Sequence, residues 1–431
     1  MRIWKWGDYM AERLKVRLNA VLPSILTLGR WLVLATLTGL ACGLAGAAFS
    51  WSVARVTALR LAHPWLLFCM PLAGLAIVFS YRVCGMANDS GTNQIIASVR
   101  GGERPRLRLS LLIFLASVLT HLTGGSAGRE GAALQIGGSV SAGIGRLLRL
   151  GERSLNTIIQ CGMAGLFSAL FGTPLTATVF ALEVVNVGHF RYAALFPCLL
   201  SALIASAIPQ CLGLPGEAYH LLGTPELGPV SLLQCGGLAI LAALVSIAFC
   251  VLMHEAGHLY KKYIPNQYLR ALAGAALVIT LTLIEGGGDY NGAGGGVIEL
   301  ALEGHVRVPW AFALKMVFTA LTLGAGFRGG EIVPTLFIGS TFGCTAAPLL
   351  GLDPAFGAAI SMIALFCGVV NCPLASIFLA IELFGGGGLL FFALACSLSF
   401  LLSGNYSLYS SQNIVYSKLE ARLNDQSRNG E

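Results

Sequence analysis

Charged residues are scarce in this chain: Asp, Glu, Lys and Arg make up only 11% of its 431 residues, while 56% are hydrophobic. This composition excludes an ordinary soluble domain. The 12 cysteines show no Cys-x-x-Cys pair or regular framework, so we interpret them as small core residues. The basic residues behind the net charge of +7 fall in short segments, which favours anchors at a membrane surface over nucleic-acid binding.

Long apolar stretches recur from Trp31 almost to the C-terminus and predict an all-α polytopic membrane protein. The N-terminal segment has no short apolar region followed by a small-residue cleavage site, so we expect a retained amphipathic helix rather than a signal peptide. The predicted divisions are a cytoplasmic N-terminal segment (1–30), a first transmembrane repeat (31–212), a Gly- and Pro-rich linker (213–229), a second transmembrane repeat (230–416) and a cytoplasmic tail (417–431).

A glycine-rich break at residues 124–131, Gly-Gly-Ser-Ala-Gly-Arg-Glu-Gly, separates two apolar segments and contains Glu130. A carboxylate at membrane depth is costly and therefore indicates function. A helix that begins after the break points free N–H groups at any ligand there, which suits an anion. We therefore predict an anion site at Gly131, with Glu130 as gate and proton carrier. The alternative, an ion pair with Arg129, is weaker because adjacent helical residues do not face each other.

The chain repeats itself at one constant offset, which predicts two halves whose broken helices face a shared site. Sequence alone leaves open whether the repeats are parallel or inverted. Glu130 itself aligns with Gly329 and has no copy in the second half. The matched residues are Gly125, Arg129 and Gly131 with Gly324, Arg328 and Gly330; Met163, Leu166 and Phe167 with Met362, Leu365 and Phe366; and Pro174, Leu175, Ala181 and Glu183 with Pro373, Leu374, Ala380 and Glu382.

Three further stretches offer anion ligands. The second break, residues 324–334, opens an apolar helix at Ile332 and Val333, whose N–H groups would face the same anion. Thr92 and Asn93 bring hydroxyl and amide groups to another helix start, although an ordinary N-cap explains them equally well. Tyr409 offers a phenol donor, with an interfacial aromatic anchor as the alternative.

Three other carboxylates have structural explanations. Glu331 in a first helical turn complements the helix dipole. Glu183 and Glu382 occupy equivalent repeat positions, and a single proton path needs no symmetric copy. We therefore expect these two to tie helices to their neighbours.

These stretches together resemble the CLC anion channel and transporter family. Gly-Arg-Glu-Gly at residues 128–131 matches its signature, and Gly-Glu-Ile-Val-Pro at residues 330–334 sits at its Gly-x-Phe-x-Pro signature. Residues 165–175 resemble the helix pair after the gate, and residues 408–410 resemble the segment that carries the inner tyrosine. The resemblance implies a homodimer with one pore per subunit and inverted repeats of broken helices.

Departures from the family pattern point to its fluoride-exporting branch. The Gly-Ser-Gly-Ile-Pro motif is replaced by Gly-Thr-Asn at residues 91–93, Ile332 stands for the signature phenylalanine, and Ala132 stands for the usual proline. The cluster at residues 326–331 is similar to the corresponding sequence of that branch. This resemblance makes a role of Glu331 in the anion site as plausible as its interaction with the helix dipole. Val184 stands near where chloride/proton exchangers carry a second glutamate.

The resemblance implies a fluoride/proton antiporter rather than an enzyme, in a bacterial-type plasma membrane with both termini cytoplasmic, without cofactor, metal or nucleic-acid partner. Fluoride is strongly hydrated, so its site needs close replacement donors. A chloride or other halide transporter, or a passive anion channel on the same fold, stays open as an alternative.

A membrane protease is the rival of another class. His254-Glu255-Ala-Gly-His258 is a literal His-Glu-x-x-His, the spacing that places two zinc ligands and a general base on one helix face. The motif follows the apolar run at residues 232–253, and Asp353 is the best third ligand. We favour a polar helix end at the membrane surface.

Overall fold

The computed structural model describes residues 3–214, 216–219, 221, 223–415 and 417–419, and for residues 3–22 only the helix and not the side chains. Over these residues the chain forms sixteen α-helices and a pair of two-residue strands. The elements in chain order are α1 (Ile3–Ala62), α2 (Met70–Val83), α3 (Thr92–Val99), α4 (Leu107–Leu122), α5 (Glu130–Leu147), α6 (Glu152–Phe171), α7 (Pro174–Glu183), β1 (Asn186–Val187), α8 (Leu195–Cys211), α9 (Pro229–Tyr263), α10 (Gln267–Glu285), α11 (Gly295–Leu302), α12 (Ala311–Gly324), α13 (Ile332–Ala346), α14 (Pro354–Val370), α15 (Pro373–Phe384), α16 (Leu389–Leu402) and β2 (Asn413–Ile414).

The helices fall into two length classes, as the uneven apolar segments predict. In the described part of the chain, seven helical segments are long and apolar enough to cross a membrane. Others, including α4 and α12, have only 10–17 residues. Both of these short helices end at a glycine-rich break, where protein and not lipid must cover their free backbone groups.

The two ends of the chain can be compared with the predicted divisions only in part. Helix α1 continues without interruption through residue 30, where we expect the first boundary. The amphipathic character expected of residues 1–22 concerns side chains outside the described residues. The expected tail at residues 417–431 is described only for residues 417–419.

The two halves have the same order of elements. In the first, α4, a break, α5, α6 and the short α7 follow one another; in the second, α12, a break, α13, α14 and the short α15 do so. Helix α5 packs on α6, α13 packs on α14, and α7 packs against α15 across the two halves. Strand β1 pairs in parallel with β2, which joins the segment after α7 to the C-terminal segment. The mostly helical fold of two broken-helix repeats is thus confirmed, apart from these unpredicted short strands.

Glycine allows α5 and α6 to touch through their backbones. A Cβ atom on Gly137 would lie 2.1 Å from the carbonyl oxygen of Gly162, and a Cβ atom on Gly162 would lie 2.2 Å from that of Gly137. Neither position has room for any side chain. This close approach of small residues is the usual way in which helices pack in membranes.

Glu183 and Glu382 bind the two repeats to each other. The Glu382 carboxylate accepts the N–H groups of Leu175 and Thr176 at 2.9 and 2.8 Å and the Thr176 hydroxyl at 2.6 Å. The Glu183 carboxylate accepts two N–H groups in the first turn of α15, at 2.9 and 3.3 Å. Each carboxylate caps a Pro-initiated helix of the other half, so the structural role predicted for the pair is confirmed.

Candidate functional site

The two glycine-rich breaks meet in the interior. Gly128 N–H donates to the Gly330 carbonyl at 2.7 Å, and Gly330 N–H donates back to Gly128 at 2.8 Å. A Cβ atom on Gly330 would lie 2.5 Å from the Gly131 nitrogen, so this residue must be glycine. The bridge brings the N-termini of α5 and α13 together, as the repeat predicts.

Glu130 reaches from one repeat into the other. Its side chain is fully buried, and its Oε2 accepts the Val333 N–H at 3.2 Å. Within the described structure its Oε1 has no hydrogen-bond partner. The carboxylate therefore occupies the place at the start of α13 where a helix N-terminus binds an anion.

Arg129 is not the ion-pair partner of Glu130. Its Nη2 instead lies 2.7 Å from Glu217 Oε1, in the segment between the repeats. The Tyr219 hydroxyl also donates to Glu217, at 3.2 Å. This geometry argues against the alternative that Glu130 forms an ion pair with Arg129. It also shows that Arg129 pairs with Glu217, a partner that no sequence pattern indicated.

A third helix start reaches the same place. Thr92 is the first residue of α3, and its hydroxyl donates to the Gly131 carbonyl at 3.4 Å. Gln135, one turn into α5, donates to the same carbonyl at 3.1 Å and lies 3.5 Å from the Thr92 hydroxyl. The amide of Gln135 was not predicted as a site residue, because a single Gln in a helix start carries no distinctive sequence signal.

Glu331 lies against the first helix start. It is the N-cap of α13, directly before the fully buried Ile332. A Cβ atom on Gly131 would lie 3.0 Å from Glu331 Oε2, which has no hydrogen-bond partner in the part of the chain that the structure describes. A second carboxyl group is therefore present beside Glu130, and the two stand at the starts of α5 and α13, one helix from each repeat.

Tyr409 and Asn93 have different positions relative to the site. Tyr409 is 2% exposed, its hydroxyl has no partner among the described residues, and it lies within electrostatic range of the Glu331 and Glu130 carboxyls. The side-chain Oδ1 of Asn93 accepts the Ser411 N–H at 2.9 Å. Asn93 thus anchors the segment that carries Tyr409.

Lys315 is a fully buried cation that the sequence reasoning missed. Its Nζ donates to the carbonyls of Tyr290 and Gly292 at 3.0 and 2.7 Å and lies 5.0 Å from the centre of the Phe337 ring. Gly292 N–H in turn donates to the Gly125 carbonyl at 3.1 Å. Lys315 therefore holds the α10–α11 connection against the first break. The available signal was a lone lysine in an apolar helix.

Four buried polar atoms near the helix starts are without a partner in the described residues: Glu130 Oε1, Glu331 Oε2, Gln135 Oε1 and the Tyr409 hydroxyl. Buried polar groups without partners are rare and call for a ligand, a proton or water. The arrangement is suited to exchange between an anion held by N–H groups and protons held by the carboxyls.

Two cavities with charged residues in their linings lie in different parts of the molecule. One, of about 540 Å³, includes Arg129 and Glu217 and lies by the end of α1. The other, of about 440 Å³, includes Arg328 and Asp89 and lies beyond the end of α2. Equivalent arginines of the two repeats thus face different cavities, each beside a carboxylate, as inverted repeats require.

The His254-Glu255-Ala-Gly-His258 stretch shows no metal site. It lies in α9, and the Nδ1 atom of His254 is 2.9 Å from the Cys250 carbonyl oxygen. Asp353, the best third ligand, instead caps α14 through the Phe356 N–H at 2.9 Å. The described residues contain no group of three or more His, Cys, Asp or Glu side chains that could hold a metal ion. The protease alternative is therefore not supported.

Comparison with known proteins agrees with this geometry. Residues 72–404 match the family described as voltage gated chloride channel. A chloride/fluoride channel protein of Pseudomonas syringae pv. tomato is 35% identical over 412 residues, which cover 93% of this chain and 90% of the relative. An H(+)/Cl(-) exchange transporter of Vibrio cholerae is 25% identical over 393 residues, 82% of this chain and 81% of the relative.

Solved structures show the same fold. The crystal structure of a CLC-type fluoride/proton antiporter matches with a TM-score of 0.87 and 32% identity, covering 90% of this chain and 98% of that one. A slow cyanobacterial Cl-/H+ antiporter matches with a TM-score of 0.72 and 20% identity, covering 87% of this chain and 94% of that one. Fold and site define a multi-pass membrane protein of two broken-helix repeats. The chain belongs to the CLC family of voltage-gated chloride channels and transporters, as its motifs predict.

Proposed function

We propose that this protein is a proton-coupled antiporter that exports fluoride from the cytoplasm, with Glu130 as its gate and proton carrier. One observation carries the proposal: the Glu130 carboxylate accepts the Val333 N–H of the other repeat while its second oxygen is unpartnered in the described structure. An ionised carboxylate and a transported anion compete for that N–H group. Protonation removes the charge of Glu130 and leaves the N–H free for the anion.

The same competition couples the two ions. When Glu130 is ionised, it closes the path and excludes the anion by charge. When it is protonated, an anion replaces it at the starts of α5 and α13, where Gly131, Ile332, Val333 and Tyr409 contribute donors or lining. Glu130 can therefore give up its proton and return to the anion position only when the anion has left that position.

Glu331 takes part in this coupling in our proposal. Its unpartnered Oε2 lies beside Gly131, close to the place that the anion would take. Two ionised carboxylates and an anion in one small site repel each other strongly. Anion binding therefore favours the protonated form of at least one carboxyl, and an unpartnered protonated Glu331 would donate to the anion.

Fluoride is the favoured anion for chemical reasons and by likeness. It is small and strongly hydrated, so the site must replace its water with close donors. The Thr92 hydroxyl and the N–H groups of two helix starts converge within a few residues of the Gly128–Gly330 bridge. A relative that is 35% identical is named a chloride/fluoride channel protein, and a matching solved structure is described as a fluoride/proton antiporter.

The proposal includes the setting of the protein. We place it as a homodimer in a bacterial-type plasma membrane, with the basic segments and both termini cytoplasmic. Residues 1–30 and 417–431 are then cytoplasmic, and residues 213–229 lie between the repeats. Glu217 of that linker lines the cavity that we place outside, next to Arg129, and the Tyr219 hydroxyl donates to Glu217.

Flux from liposomes tests the function. Vesicles that contain the purified protein are loaded with potassium fluoride or potassium chloride, and valinomycin clamps the voltage while ion and pH electrodes follow the bath. We expect fluoride efflux to exceed chloride efflux and protons to enter the vesicles without an imposed pH gradient. Equal or faster chloride efflux would overturn the fluoride assignment. Anion efflux without proton movement would identify a passive channel.

A further inference from the structure

One ammonium group lies between the C-terminal ends of two helices. Lys418 Nζ donates to the Phe400 carbonyl at 2.8 Å and to the Ser403 hydroxyl at 3.0 Å, at the end of α16. It also donates to the side-chain oxygen of Asn371, the residue that caps the end of α14. The carbonyl groups at a helix end carry partial negative charge, so a cation is favourable there. Lys418 therefore joins the ends of α14 and α16 to the last described residues of the chain.

The surroundings of Lys418 fix its ammonium group in place. The group lies 4.3 Å from the centre of the Phe400 ring, and the side chain is half-buried. Burial lowers the pKa of Lys418 to about 8, so the group is mostly charged at neutral pH. Loss of this cation would leave three acceptors without their donor and the ring without its cation.

Asn371 links this contact to the segment that carries Tyr409. Asn371 is fully buried and has a left-handed backbone, with a φ of 54°. Its amide nitrogen donates to the Tyr406 carbonyl at 2.9 Å and to Gln412 Oε1 at 3.3 Å. Tyr406 and Gln412 flank Tyr409, so the side chain that binds Lys418 also holds both sides of this turn. We refer to Lys418, Asn371 and Gln412 as the C-terminal clamp.

The same turn is bound to α14 through backbone carbonyl groups. Leu408 N–H donates to the Val369 carbonyl at 2.9 Å, and Gln412 Nε2 donates to the Val370 carbonyl at 2.7 Å. Carbonyl groups in the last turn of a helix have no partner within the helix, so both are free to accept these bonds. The position of the Tyr409 phenol therefore depends on how firmly the turn is fastened to the end of α14.

We propose that Lys418 is a positioning residue for transport, which fastens residues 405–412 to the ends of α14 and α16 and so keeps the Tyr409 phenol in the anion site. With the clamp intact, the phenol lies near the Glu130 and Glu331 carboxyls and keeps the path narrow. With the clamp lost, the turn moves away and the path widens. A larger and less hydrated anion than fluoride then passes more easily, and anions pass without a proton. The inference rests on the proposed function, because it assumes that the anion path runs past Tyr409.

Amide hydrogen exchange tests the clamp itself, on the full-length protein in detergent at pH 7. In Lys418→Met the side chain can still lie on the Phe400 ring, but the donor is lost. The Asn93–Ser411 hydrogen bond and the β1–β2 pair remain, so the turn is loosened and not detached. We expect exchange in residues 405–412 to rise about tenfold, because one hydrogen bond to a charged group changes an equilibrium by at least about that factor. Exchange at the wild-type rate would overturn the inference.

Ion flux from liposomes separates positioning from a purely structural role. In Lys418→Met we expect chloride efflux relative to fluoride efflux to rise about tenfold, with fewer protons moved per anion. In a Tyr409→Ala background the same change should have no further effect, because Lys418 acts through Tyr409. Faster exchange with wild-type ion ratios would overturn the positioning role, as would an undiminished effect of Lys418→Met in the Tyr409→Ala protein.

Lys262→Met is the matched control. It removes an ammonium group that is exposed at the end of α9, 5.5 Å from the Tyr263 ring centre, and should leave exchange and ion ratios unchanged. If Lys418→Met fails to fold, Ser403→Ala removes one acceptor and keeps the cation. It should shift both measurements in the same direction by a smaller amount, and unchanged values there would overturn the inference as well. Wild-type protein that moves anions without protons would overturn only the proposed function, since exchange and the ratio of chloride to fluoride still report on the clamp.

Discussion

At the scale of single residues, the most specific prediction concerns proton coupling through Glu130. In Glu130→Gln the amide oxygen can still accept the Val333 N–H, but the side chain can neither ionise nor carry a proton. We therefore expect proton uptake during fluoride efflux to fall to the level of protein-free liposomes. Simultaneous recording with fluoride and pH electrodes measures the ratio of the two ions.

The matched control for this change is Glu303→Gln, in which the same carboxylate is lost from an exposed position after α11. It should leave the ratio of protons to fluoride unchanged. If Glu130→Gln retained wild-type coupling, the proton would have to cross by another group, and Glu331 would be the first candidate because of its buried, unpartnered oxygen in the described structure.

Sequence indicates a residue most clearly where its chemistry is unusual for a membrane and least clearly where an ordinary residue acquires a role by contact. Glu130 stood out because intramembrane carboxylates are rare. Asn93 was proposed as an anion ligand only as part of a helix start, and Gln135 gave no signal, since an amide near a helix start is common. Asn93 proved to bind the Ser411 backbone, and Gln135 to bind the Gly131 carbonyl. The Asn93–Ser411 contact joins segments 318 residues apart in sequence, which a single sequence does not pair, whereas the Gln135–Gly131 contact lies within the first turns of α5.

At the scale of helices, the reciprocal caps at α7 and α15 determine how the repeats are joined. Glu382→Gln leaves one carbonyl oxygen for three donors, two N–H groups and the Thr176 hydroxyl. Hydrogen bonds to a charged group contribute about 1.5–3 kcal/mol each, so we expect a stability loss of about 2 kcal/mol. Thermal unfolding in detergent, followed by intrinsic fluorescence, measures it as a lower Tm.

Glu103→Gln is the control for the cap, because Glu103 is exposed in the loop before α4. It should leave Tm unchanged. A Glu382→Gln protein with the Tm of the wild type would show that the cap contributes no net stability. It would then leave Glu382 without the structural role that its contacts indicate.

The helix breaks were predictable as elements because glycine runs interrupt apolar segments and recur at one offset. Their pairing was not, since the Gly128–Gly330 bridge depends on how α4 and α12 approach each other. The orientation of the repeats also needed more than periodicity. An apolar segment has the same pattern in either direction, and only the resemblance to a family implied inversion before the fold was known.

At the scale of the whole molecule, inversion places equivalent groups on opposite sides. Arg129 faces one cavity and Arg328 the other. Each repeat therefore supplies the arginine of one cavity and one half of the central site. This arrangement explains why Glu130 needs no copy. In the proposed mechanism a single gate, Glu130, serves the path from both sides. Its second-half equivalent, Gly329, leaves room for the bridge, because a Cβ atom there would lie 2.4 Å from the Ala127 side chain.

The orientation of the whole chain gives the last prediction. The basic segments around Arg106 and Lys262 predict that the ends of α3 and α9 face the cytoplasm. Lys261 and Lys262 are exposed, whereas Lys315 is fully buried. A membrane-impermeant amine reagent should therefore modify Lys262 in inverted membrane vesicles and leave it unmodified in right-side-out vesicles, as read by peptide mass. The control is Arg307→Lys, which adds an amine where the native side chain is 65% exposed at the other cavity. That amine should react only in right-side-out vesicles, and the reverse pattern at both positions would overturn the proposed orientation of the chain.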